Sequence, residues 1–110
     1  MRYRAIRVPV WDVCATFNGH PATIVNMSTT GVLLALNRHA PLGDDEGFVS
    51  FELESGLWAL HGRVAREHVE RPTPRDHPMW HVAIEFADDH PRTLEVVHLV
   101  MAAQRFIHVA

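Results

Sequence analysis

A mainly β protein, six strands followed by one C-terminal α-helix, is the fold class that this 110-residue sequence predicts. Two observations carry the prediction. Up to residue 86, short runs rich in Val, Ile, Leu, Phe and Trp are separated by turn-forming residues such as Asn18-Gly19 and Ser55-Gly56. Beyond Pro91 this punctuation stops, and apolar residues recur at the spacing of a helix face.

The first run, residues 8–17, carries Val8, Val10, Trp11 and Val13, with Pro9 near its start. A strand tolerates a missing N–H there because its opening pair need not be fully laddered. Asn18-Gly19 is the strongest short-range hairpin signal in the chain, and the return strand is expected at 22–25. Asn26 to Gly31 then reads as a tight polar connection, with Gly31 supplying positive φ, into a strand over 32–36. The near-continuous apolar character of that strand implies burial on both faces or a barrel wall. Pro41, Gly43, Gly47 and an acidic triplet at 44–46 make 37–47 a surface loop. Val49, Phe51 and Leu53 alternate with Ser50, Glu52 and Glu54 in a half-buried strand. A further strand carries Trp58, Leu60 and Val64 within 57–69, and the prolines of 67–78 mark a loop. Trp80, Val82, Ile84 and Phe86 share one face of the sixth strand.

The helix is expected from Pro91 to Ile107, with Val96, Val97, Val100, Ala103 and Ile107 on one face. Pro91 suits the first helical position, and Asp88 and Asp89 complement the positive end of the helix dipole. Leu94, Leu99, Met101 and Phe106 widen the apolar stripe, which allows a homodimer contact as well as packing along a barrel opening.

The length corresponds to one domain, residues 1–110, with 1–7 as a basic arm that orders on binding. No segment is long and apolar enough for a membrane span, and the N-terminus lacks the pattern of a secretory signal, so a cytoplasmic protein without membrane insertion is expected. Cys14, the one cysteine, excludes an internal disulfide and reads as a small buried hydrophobe. A net charge of −3 speaks against binding DNA or RNA through a basic surface. All ten basic residues among the formal charges are Arg. His77 and His81 are four apart, but Pro78 between them disfavours the helix that would make them a metal pair. Paired carboxylates, a phosphate loop and a dinucleotide fingerprint are absent from the sequence, which points away from an enzyme.

The connection at 26–31 offers an amide, three hydroxyls and backbone N–H groups at one corner, and Arg2, Arg4 and Arg7 lie just before the first apolar run. Guanidinium forks beside a polar turn suit an anion. Arg-Tyr-Arg-Ala-Ile-Arg-Val-Pro-Val at 2–10 and Asn-Met-Ser-Thr-Thr-Gly at 26–31 together resemble the signatures of the PilZ domain family. That family's motifs are an Arg pair with three residues between and, further on, Asp or Asn, any residue, Ser, two of any kind and Gly. The second matches at Asn26, Ser28 and Gly31, whereas in the first Tyr3 stands where an Arg would pair with Arg7, flanked by Arg2 and Arg4. Phe86 fits the family's closing Gly-any-any-Phe, with Ala83 in place of the Gly.

The resemblance implies a six-stranded antiparallel β-barrel over residues 8–86, a helix over 90–107, and binding of the bacterial second messenger cyclic di-GMP as ligand, with no further cofactor. It implies contacts from Arg2, Arg4, Arg7, Asn26 and Ser28, with Gly31 shaping the turn. With no second domain in the chain, the signal would pass to an effector protein or through a homodimer. The alternative it implies is a degenerate member that acts as a protein-interaction adaptor without nucleotide.

Overall fold

The computed structural model describes residues 9–10, 13–36, 45–70, 79–87 and 91–109. Six strands, β1 (Cys14–Phe17), β2 (His20–Met27), β3 (Gly31–Leu36), β4 (Glu46–Leu53), β5 (Gly56–Glu70) and β6 (Met79–Phe86), precede one helix, α1 (Pro91–Val109). The strands close into an antiparallel barrel in the order β1-β2-β3-β6-β5-β4. Closure follows from inward alternation. Phe17, Met27, Val32, Leu34, Val49 and Phe51 are fully buried, and each such side chain contributes about 1.5–3 kcal/mol relative to leaving it in water. Val96, Val97 and Val100 of α1 join the same core, so the helix packs against β4 and β5 with the valine face expected from its spacing.

Several boundaries differ from expectation for identifiable reasons. β1 begins at Cys14 rather than at residue 8, and Val10 enters the core from outside any strand. Cys14 is exposed, because Ala15 and Phe17 take the inward positions of this short strand. β2 runs from His20 to Met27, beyond the expected 22–25, since Met27 is wholly buried and keeps the ladder with Val32. β4 starts at Glu46, inside the expected loop, where Glu46 pairs with Arg63. β5 continues to Glu70 along β6, into the stretch 67–78 expected as a loop. The expected positions of Asp88 and Asp89 and of the loop at 37–44 lie outside the described residues.

The first hairpin locks the barrel across a seam. Asn18 and Gly19 both have positive φ, 49° and 82°, as a two-residue turn matching strand twist requires. The Asn18 amide then reaches to β4: its Nδ2 donates to the Glu46 carbonyl at 3.2 Å and its Oδ1 accepts from Phe48 N at 3.0 Å. Asn18 N also donates to the Phe48 carbonyl at 3.1 Å. Gly47 lies directly beneath this amide, where any Cβ would collide with it.

Because one side chain supplies both the turn conformation and the link to β4, Asn18→Ala is expected to cost about 1–3 kcal/mol. A urea unfolding series would show this as a lower midpoint with an unchanged slope.

Candidate functional site

Asn26, Ser28 and Gly31 are brought together at the β2–β3 connection, but they do three different things. The turn itself is shorter than the sequence implied, because Asn26 and Met27 end β2 and Gly31 begins β3. Ser28 N donates to the Gly31 carbonyl at 2.9 Å. The Ser28 side chain is buried, and its Oγ accepts from Thr30 N and Gly31 N, each at 3.2 Å. It also lies 3.2 Å from the Thr30 hydroxyl and 3.4 Å from the Gly31 carbonyl. Ser28 therefore satisfies two backbone donors at the corner, of which the buried Gly31 N–H would cost free energy if left unpaired.

Gly31 is required for closeness. Positive φ among the described glycines occurs at Gly19 and Gly56, so the left-handed conformation expected of Gly31 is absent. A Cβ on Gly31 would instead stand 2.5 Å from the Ile84 carbonyl oxygen. Only a residue without Cβ lets β3 lie against β6 here, and Phe86 N donates to the Thr30 carbonyl at 2.9 Å to fasten the turn onto the end of β6.

Cross-strand partners share a face, so the register assigns the neighbours of this corner. One outward row runs from Gly31 to Glu85, Arg63 and Glu46 on successive strands. Arg63 Nη2 is 3.5 Å from Glu85 Oε2, and His61 Nε2 is 3.9 Å from Glu46 Oε2, all on well-exposed side chains. Such pairs are worth little in stability. With Phe86 and Ala87 these four residues line a cleft of about 160 Å³.

The next row runs from Asn26 to Leu33, Ala83 and Arg66. Asn26 is half-buried and Arg66 exposed. At the usual strand spacing they stand roughly 14 Å apart across a floor of Leu33 and the small Ala83. Nothing in the local sequence of Arg63 and Arg66 separates them from other surface arginines. The one available signal was their place in an alternating strand. Arg2, Arg4 and Arg7 lie outside the described residues, as does Tyr3.

Neither a protein-family model nor a curated protein matches the chain. Solved structures do. The fold is similar to the PilZ domain of YcgR from Escherichia coli, a structure with c-di-GMP, at a TM-score of 0.75 and 10% identity, covering 99% of this chain and 96% of that one. It is similar to the uncharacterised Legionella protein Lpg0364 at 0.63 and 16%, covering 96% and 99%. PlzA of Borreliella burgdorferi, in complex with c-di-GMP, matches at 0.56 and 8%, covering 88% of this chain and 43% of that one. At these identities the likeness establishes the fold: a closed six-stranded antiparallel barrel with one C-terminal helix, as in PilZ domains.

Gly31→Ala should destabilise the protein by about 1–3 kcal/mol, because the obstructing atom is backbone and β3 must move off β6. Ser28→Ala, which strands two amide donors, should cost about 1–3 kcal/mol. Thermal or urea unfolding checks both, and a neutral Gly31→Ala would contradict the close approach.

Proposed function

We propose that this protein is a cytoplasmic receptor for cyclic di-GMP that passes the second-messenger signal to a partner protein. The observation that carries the reading is the built corner at 26–31. Ser28 and Gly31 hold the turn against β6, while Asn26 stands on the outer face in a row that ends at Arg66. Likeness of fold to two proteins whose structures contain c-di-GMP supports it.

Cyclic di-GMP presents two phosphodiester anions and two guanines with O6 and N7 acceptors. Arginine answers both demands, forking onto the guanine edge, pairing with phosphate oxygens and stacking on a base. In this reading Arg7, with Arg2 and Arg4, grips the nucleotide from the N-terminal side while Asn26 bonds a guanine or phosphate. Ser28 and Gly31 contribute by shaping the corner, and Arg66 closes the far end of the floor. Binding then draws residues 1–7 onto the outer face and changes the surface offered to the partner. No catalytic step is assigned.

A second reading, a protein-interaction adaptor without nucleotide, draws on Tyr3 at the motif position and on α1. Leu94 is 42% exposed on that helix, beside Pro91, Leu99 and Ala102 along an open groove. Leu94, not the buried Val100, is the position at which this surface is open to substitution. No helix among the described residues is long and apolar enough to cross a membrane.

Isothermal titration of the purified chain with cyclic di-GMP, against cyclic di-AMP and GTP, is expected to show selective binding. Losing one forked or amide contact is worth about 1–3 kcal/mol, so Arg7→Ala and Asn26→Ala should each weaken affinity about 5- to 150-fold. Absence of heat at micromolar protein would favour the adaptor. A partner capture indifferent to nucleotide and lost in Leu94→Asp would then be its signature.

A further inference from the structure

Two rows from the turn, the outer face of β5 and β6 carries a feature that the nucleotide reading does not use. His68 of β5 and His81 of β6 are direct cross-strand partners. Their ring centroids are 5.1 Å apart with planes at 62°. His68 is exposed and His81 half-buried, so the pair is open to solvent.

We propose that His68 and His81 form a binding site for one late first-row transition-metal ion. The spacing is the argument. An imidazole nitrogen bound at about 2.0–2.1 Å puts its ring centre roughly 3.2 Å from the metal, and two such rings at a tetrahedral angle have centres about 5 Å apart. The observed pair already has that separation, and it is held by two ladder-bonded strands, so little ordering remains to oppose chelation. Each ring has two nitrogens; one binds the metal and the other remains for the hydrogen bond that steadies the ring.

The surroundings select the class of ion. Met79 precedes His81 by two residues and pairs with Glu70, the residue two beyond His68, which puts its half-buried thioether position on the same face. Among the described residues no three of His, Cys, Asp and Glu converge, so the proposed site is a two-imidazole site completed by water, with this thioether on the same face. Two imidazoles with a thioether nearby suit copper, nickel or zinc and not the oxygen-seeking magnesium or calcium, and copper should bind most tightly. A metal there would bridge the part of β5 that has β6 as its ladder partner, on the face that carries Asn26 and Arg66.

The test is titration of the full chain with Ni²⁺, with Mg²⁺ as control, followed by calorimetry, and thermal unfolding with and without Ni²⁺. Wild type is expected to bind one equivalent at micromolar affinity with a raised Tm. His68→Gln and His81→Gln should each weaken binding at least tenfold and lose the Tm rise, while folding normally by circular dichroism. His98→Gln, an exposed helix position, should retain both. With Cu²⁺, electron paramagnetic resonance should show nitrogen coupling that His68→Gln reduces. Absence of a one-equivalent event, its survival in His68→Gln or His81→Gln, or its equal loss in His98→Gln would overturn the proposal.

Discussion

The approach of β3 to β6 at Gly31 is the constraint on which the outer face depends. The Ile84 carbonyl occupies the space that a side chain would need, and Ile84 itself is a buried core residue. The side chain of the same residue faces the other flank, where a Cβ on Gly62 would stand 2.5 Å from Ile84 Cγ2. One residue of β6 is thus held between two glycines on its neighbouring strands. Core packing and the shape of the β2–β3 corner are consequently one problem: whatever separates these strands disturbs both.

That coupling explains why so much of the corner is invested in itself. Ser28 could have faced a ligand, but its hydroxyl is turned onto two backbone N–H groups of its own turn. Beyond this turn the outer face carries the row through Asn26 and Arg66. Glu85 lies next to the bare Gly31, with Arg63 on its far side, so an anion arriving over Gly31 meets a carboxylate first. An anion arriving over Leu33 and Ala83 meets Arg66 instead. Both sets of side chains are exposed, and at physiological salt such preferences fade over about 8 Å, which makes them matters of local orientation.

Most of the fold was legible because period-two alternation and turn residues are local signals. Asn18-Gly19 announced its hairpin, the alternation of 49–54 and 80–86 gave the facing of β4 and β6, and the valine spacing gave the buried side of α1. The misreadings arose where a long-range demand overrode a local one. Met27 looked like part of a polar turn until its burial showed why β2 must continue, and 67–70 fell within the expected loop although these residues are paired along β6. The motif residues could be named from their order, but their division of labour could not. Nor could the placing of Asn26 in line with Arg66, or of His68 opposite His81, since both follow from register and from the irregularity between Val64 and Arg66.

The seam at Asn18 also has a bearing on how the molecule ages. An asparagine followed by glycine is the sequence most prone to spontaneous loss of ammonia through a cyclic imide, because the glycine nitrogen can reach the side-chain carbon. Here both ends of the amide are engaged by β4. Hydrolysis to the acid would exchange a donor for a negative oxygen facing the Glu46 carbonyl. The contact that ties this turn to β4 therefore also holds in place the amide that the reaction would consume.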